Sequence, residues 1–153
     1  AIVAARFANR GFYYTPHFVR GFTDQTNQVP EAYTTPNYVG IDAAHFQPII
    51  DGMAAVVKSG TARRADIGEI TICGKTGTAE NPHGEDHSIF FAFAPKYDPQ
   101  IAIAVYIENG GFGGTYAAPL ASLMIEKYLT RTISPNRHYR EKRILDAQLM
   151  PLP

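Results

Sequence analysis

The chain has 153 residues, of which 45% are hydrophobic, a composition that permits a folded domain with a buried core. Fourteen basic and fourteen acidic side chains cancel, so the net charge provides no field that would attract a nucleic acid. No stretch approaches the roughly 18 consecutive apolar residues of a membrane span. Composition therefore argues against nucleic-acid binding and against a span within these residues.

The amino-terminal part predicts one helix followed mostly by connecting chain. Residues 1–7 have a helical composition but no N-cap residue before them. We therefore expect residue 1 to lie part-way along a helix and these residues to be a piece of a longer chain. Gly11 is expected to cap this helix. Residues 12–40 are rich in Thr, Pro, Asn, Gln and Tyr and are predicted to be mainly loop.

A second helix is predicted from His45 to Lys58. Its apolar residues recur at helical spacing, and Pro48 is tolerated in the first turn. The predicted apolar stripe consists of Phe46, Ile49, Ile50, Met53 and Val57. Gly60 is expected to end the helix.

Three strands and a last helix complete the predicted elements. The strands are expected near residues 69–78, 88–94 and 101–108, and the polar turn 96–100 predicts that the last two form an antiparallel hairpin. The helix is predicted from Thr115 to Leu129. Its expected sheet-facing stripe consists of Ala117, Leu120, Ala121, Met124 and Tyr128.

The triplet Lys75-Thr76-Gly77 in the first strand is the most informative motif. Strand alternation sends the hydroxyls of Thr76 and Thr78 to one face, and Gly77 leaves space for an extended peptide alongside. A phosphate-binding loop is the competing interpretation, but Glu69 stands where that motif requires glycine. The pattern therefore favours a peptide-binding strand.

Other candidate sites have simpler interpretations. The His, Glu and Asp side chains of residues 83–87 could ligate zinc, but a solvated loop between strands is favoured and no metal is predicted. A dinucleotide loop at residues 110–114 would need a glycine where Tyr116 stands, so a flexible turn from strand to helix is expected, beside a cleft that holds the active site. Cys73 lies in an apolar strand and is predicted to be a buried structural thiol.

The motifs have a consistent order along most of residues 1–130. They are Gly60-Thr61-Ala62, the run 74–79, Asp86-His87, Asn109-Gly110-Gly111 and Ala117-Ala118-Pro119. Together they resemble the carboxyl-terminal half of the transpeptidase domain of a class B penicillin-binding protein, of the type called penicillin-binding protein 2. The resemblance implies an α+β fold with an antiparallel sheet packed by helices, like β-lactamases and transpeptidases, with residues 1–133 in the domain and 134–153 as a basic tail.

The resemblance implies a serine D,D-transpeptidase that cross-links D-Ala-D-Ala stem peptides of peptidoglycan and binds β-lactams. Lys75 and Thr78 would be catalytic, through positive potential and a backbone oxyanion donor respectively. Thr76, Gly77 and Thr78 would bind the substrate, the two hydroxyls at its terminal carboxylate. The Ser-x-x-Lys nucleophile and the Ser-x-Asn motif are expected upstream, so this piece alone is expected to be inactive. No cofactor is implied.

For the whole protein, the resemblance implies the periplasmic face of the bacterial inner membrane, with the anchor outside this chain. It also implies a glycosyltransferase and other elongation-complex proteins as partners. Missing helices would leave apolar surface uncovered, which predicts self-association. Two alternatives stay open: a β-lactamase or sensor of the same fold, and a non-catalytic peptide-binding module. The basic tail could contact anionic lipid or a partner, although a solvated extension is the simpler expectation.

Overall fold

The computed structural model describes residues 1–23 and 28–149. The helices are α1 (Ile2–Ala8), α2 (Glu31–Thr34), α3 (Phe46–Lys58), α4 (Ala117–Thr130) and α5 (His138–Leu145). The strands are β1 (Phe12–Tyr13), β2 (Asn37–Tyr38), β3 (Cys73–Ala79), β4 (His87–Ala94) and β5 (Ile101–Ile107). Single 3-10 turns occur at Ala43–His45, Arg63–Ala65 and Pro135–Arg137. No helix in the described ranges is long and apolar enough to cross a membrane.

The main sheet has the order β3-β4-β5, and both neighbouring pairs are antiparallel. The predicted hairpin between the last two strands is therefore confirmed. The predicted first strand started too early, because β3 begins at Cys73 and not at residue 69. Gly68 has a φ of 86°, and its N–H bonds to the carboxylate of Asp66, so the chain turns there before it can join the sheet.

Helices cover both faces of this sheet. On one face, Phe90 and Ala92 of β4 pack with Ala118 and Ile125 of α4. On the other face, a second cluster brings Cys73 and Phe93 together with residues of α1 and α3. These α3 residues are Phe46, Ile50 and Met53. The predicted burial of Cys73 is confirmed, and this burial raises the pKa of its thiol to about 11.

Both long helices bury a face that differs in part from the prediction. Ile49 of α3 was expected in the apolar stripe, but it is 49% exposed. Met124 and Tyr128 of α4 were expected against the sheet, but they are 49% and 50% exposed. Small residues such as Ala118 and Ala121 let α4 lie close to the sheet, and the large residue that packs there is Ile125, not Met124 or Tyr128.

The last part of the chain is held against α4. Arg137 is 6% exposed and lies 3.0 Å from the carboxylate of Glu126, which is 1% exposed. The same guanidinium donates hydrogen bonds to the Ser122 hydroxyl and to the carbonyl of Asp66. At Arg137 the expectation of a solvated extension is therefore wrong, because buried partners on α4 and before β3 fix the residue.

Candidate functional site

One edge of β3 is open. Within residues 1–23 and 28–149, β3 pairs only with β4. A Cβ built on Gly113 would clash with the carbonyl oxygens of both Gly77 and Ile89, so these oxygens face one another across a hydrogen-bonded pair. Because backbone groups alternate in direction along an antiparallel strand, the N–H and C=O groups of Thr76 and Thr78 point to the open edge. An extended peptide can add to such an edge.

The hydroxyl groups of β3 face a cleft of about 410 Å³. Thr76 and Thr78 line it from the strand, and Thr61 lines it from the turn after α3. The Thr61 and Thr76 hydroxyl oxygens lie 2.9 Å apart, within hydrogen-bond distance. Arg63 and Arg64 add positive charge to the same wall. Hydroxyl donors beside guanidinium groups are suited to bind a carboxylate.

Lys75 is placed differently from the threonines. Alternation directs its side chain to the opposite face of β3, where its cross-strand neighbour is Phe91. The Lys75 side chain then bends back, and its ammonium donates a hydrogen bond of 2.8 Å to the Thr76 carbonyl at the open edge. Of the predicted site residues, Thr76 and Thr78 thus line the cleft, Gly77 lies between them in β3, and Lys75 lies at the strand edge beside it.

The glycine-rich connection between β5 and α4 forms another wall of the cleft. Phe112, Gly113 and Gly114 line it, so the predicted position beside the cleft is confirmed. Ser88 of β4 is fully buried, donates a hydrogen bond to the Phe112 carbonyl and accepts one from the N–H of Ala117. This role of Ser88 was not predicted, although one small polar residue in an apolar strand is a usable signal.

The loop of residues 80–86 is held by its polar side chains. The Asp86 carboxylate accepts the N–H of Asn81 at 3.2 Å, and His87 Nδ1 accepts the N–H of Asn109 at 3.1 Å. Asn81 also donates to the Asn109 side chain at 2.9 Å. These bonds join the loop to the end of β5. In the part of the chain that the structure describes, no three His, Cys, Asp or Glu side chains are grouped to hold a metal.

The four serines of the chain have hydrogen-bond partners of their own. The chain contains Ser59, Ser88, Ser122 and Ser134. Ser88 and Ser122 are fully buried and hydrogen-bonded, Ser59 bonds to its own helix, and Ser134 bonds to Glu126. None of the four lines the cleft that Thr76 and Thr78 border.

Comparison with known proteins agrees with this geometry. A family model described as the penicillin binding protein transpeptidase domain matches residues 1–126. The peptidoglycan D,D-transpeptidase MrdA of Acinetobacter baumannii is 33% identical over 90% of this chain, and the peptidoglycan D,D-transpeptidase PbpA of Mycolicibacterium smegmatis is 30% identical over 82%. The chain spans 23% and 27% of these two relatives, about a quarter of their length.

Solved structures give the same result. Penicillin-binding protein 2 of Pseudomonas aeruginosa matches 87% of this chain with a TM-score of 0.69 and 30% identity. A ceftriaxone acyl-enzyme complex of penicillin-binding protein A from Mycobacterium tuberculosis matches 84% with a TM-score of 0.71 and 26% identity. The chain covers 30% and 31% of those two chains. The α+β fold and the family resemblance predicted from the motifs are confirmed: this chain belongs to the penicillin-binding protein transpeptidase domain family.

Proposed function

We propose that this chain is part of a peptidoglycan D,D-transpeptidase, which cross-links D-Ala-D-Ala stem peptides by serine acyl transfer and is acylated by β-lactams. The observation that supports this proposal best is the open edge of β3 beside the hydroxyls of Thr76 and Thr78. The relatives named above are peptidoglycan D,D-transpeptidases, and one structural neighbour is an acyl-enzyme complex with ceftriaxone.

In this proposal the strand binds the substrate as an added antiparallel strand. Thr76 and Thr78 donate hydrogen bonds to its terminal carboxylate, and Gly77 leaves room for its backbone. The N–H of Thr78 points to the open edge and supplies one donor of the oxyanion hole. Lys75, whose ammonium already lies at that edge, adds positive potential and holds the serine of a Ser-x-Asn motif.

We place the serine nucleophile and the second oxyanion donor outside these 153 residues, since none of the four serines lines the cleft. The isolated chain is then inactive. For the whole protein we infer the periplasmic face of the inner membrane, with a glycosyltransferase and elongation-complex proteins as partners. The division into residues 1–133 and a tail of residues 134–153 remains part of this proposal.

Replacing Thr78 with valine tests the binding role directly. The change keeps the shape and the backbone N–H but removes a hydroxyl that donates to a carboxylate. A hydrogen bond to a charged group contributes about 1.5–3 kcal/mol, so penicillin acylation of the natural protein containing this chain should slow roughly 10- to 100-fold. Stopped-flow acylation measures the rate constant.

The matched control is Thr71→Val, because Thr71 is exposed and precedes β3. It should leave the rate within about twofold, the effect expected of a surface change. Equal rates for the two variants would contradict the proposed carboxylate contact.

The isolated chain is also expected to self-associate. An apolar groove between α1 and α3 is bordered by Val3, Ile41 and Ile49, which are 49%, 55% and 49% exposed. Apolar surface of this kind drives association. Light scattering should show a dimer or larger species, and Ile49→Lys should shift it toward monomer. A monomeric unmodified chain at high concentration would contradict this expectation.

A further inference from the structure

A basic rim adjoins the cleft that Thr76 and Thr78 line. Arg63 and Arg64 border this cleft, and Arg64 and Thr115 also border a neighbouring cavity of about 220 Å³. The far side of that cavity is formed by Arg140 and Arg143 of α5. We propose that these four arginines attract the terminal carboxylate of the substrate into the threonine cleft, and that α5 is therefore part of the active site. This inference rests on the proposed transpeptidase function.

The position of α5 is fixed by buried contacts just before its first residue. Arg137 lies 3.0 Å from the buried Glu126 carboxylate and donates to the Ser122 hydroxyl at 2.6 Å. It also donates to the carbonyl of Asp66 at 3.0 Å, which ties α5 to the segment that follows the Arg63–Ala65 turn. Arg140 donates a further hydrogen bond to the carbonyl of Arg64. Arg63 and Arg64 on one side of the rim and Arg140 and Arg143 on the other are therefore held against each other.

The charge of the rim is not neutralised by neighbouring carboxylates. The acidic groups closest in sequence are each paired elsewhere: Asp66 with Lys58, Glu141 with His138 and Asp146 with Lys142. Burial raises the pKa of the Asp66 carboxyl, but hydrogen bonds from the Gly68 N–H and the Lys58 ammonium outweigh this effect and hold the pKa below its usual value. Within the described residues, no ion pair involves any of the four rim arginines.

The groups that Arg140 and Arg143 contact carry no negative charge, so the positive field of these two residues remains. Arg140 contacts the hydroxyl of Tyr139 and a carbonyl, and the Arg143 guanidinium lies 5.8 Å from the centre of the Tyr116 ring. A cleft lined by charge of one sign concentrates ligands of the opposite sign and speeds their association, and salt weakens this effect. Because the family match ends at residue 126, the family motifs give no indication of a contribution from α5.

The test compares an anionic and a neutral acylating probe of nearly the same shape, benzylpenicillin and its methyl ester. Acylation rate constants of the natural protein containing this chain are measured at low and high salt. In the unmodified protein, the acylation rate constant of the acid divided by that of the ester should fall as the salt concentration rises. In Arg140→Gln/Arg143→Gln the low-salt ratio should fall by about three- to tenfold, and its salt dependence should flatten. Arg63→Gln should change the ratio in the same direction.

The control is Arg131→Gln/Lys142→Gln, which removes the same amount of charge from residues that line neither the threonine cleft nor the neighbouring cavity. It should retain the ratio and the salt dependence of the unmodified protein. Because each ratio is taken within one protein, a variant that folds less well still gives a valid value.

Three outcomes would overturn the inference. The first is an Arg140→Gln/Arg143→Gln variant that matches the control in ratio and salt dependence. The second is an Arg140→Gln/Arg143→Gln variant that keeps the ratio of the unmodified protein but no longer binds phosphatidylglycerol vesicles, which would assign the rim to a membrane surface. The third is an unmodified protein that neither probe acylates, which would reject the proposed function itself and is separable from the other two.

Discussion

Replacing Gly113 with alanine should destabilise the chain and remove most of the penicillin acylation of the protein that contains it. The added Cβ would lie against the carbonyl oxygens of Gly77 and Ile89. Both are backbone atoms in a paired sheet, so neither can rotate away, and the glycine-rich wall of the cleft must lift instead. Overpacking of this kind typically costs about 1–3 kcal/mol of unfolding free energy. A wall misplaced by about 1 Å can slow acylation roughly 100-fold.

Urea unfolding and stopped-flow acylation measure the two effects of Gly113→Ala. The matched control is Gly52→Ala in α3, because a Cβ at Gly52 meets no atom within 4 Å. Alanine is favoured over glycine in a helix by up to about 1 kcal/mol, so this control should retain or gain stability. A Gly113→Ala protein as stable and as reactive as the control would contradict the described contact between the wall and β3.

Replacing Arg137 with methionine should cause the larger loss of stability. The change leaves the Glu126 carboxylate, which is 1% exposed, without its cationic partner. The Glu126 oxygen and Arg137 Nε are 3.0 Å apart but are not aligned as a hydrogen bond, so their attraction is mainly electrostatic. Breaking a buried ion pair on one side typically costs about 3–5 kcal/mol. Urea unfolding of the chain should show a loss of this size.

Two further proteins test the physical reason. Arg137→Met/Glu126→Leu removes both charges and should recover much of the loss, because no unpaired charge stays buried. Lys142→Gln breaks an exposed ion pair with Asp146 and should cost less than about 1 kcal/mol. A loss for Arg137→Met no larger than that for Lys142→Gln would show that the C-terminal segment is not held by this pair.

Elements with strong local signals were predictable from the sequence. Helix α3 and the hairpin of β4 and β5 were predicted within about two residues, because their periodicity and their flanking turns agree. The hydroxyl pair of Thr76 and Thr78 followed from strand alternation alone. These features depend on residues close together in the chain, and such patterns are visible without tertiary information.

Features that depend on tertiary contact were not predictable in this way. The buried face of α4 is set by how closely Ala118 and Ala121 let it approach the sheet. The burial of Arg137 depends on Glu126, whose own burial no local pattern indicates. Arg63 and Arg64 join the cleft only because the turn after α3 lies next to β3. In each case a residue far along the chain decides the outcome.

The most direct test of the transpeptidase assignment is to locate the penicillin adduct. The natural protein that contains this chain is incubated with benzylpenicillin, and intact-mass spectrometry with peptide mapping identifies the modified residue; the isolated chain is treated in parallel. We expect one adduct on a serine outside these 153 residues and none on the isolated chain. An adduct on Ser59, Ser88, Ser122 or Ser134 would contradict the assignment of β3 as the binding strand for a nucleophile supplied from elsewhere.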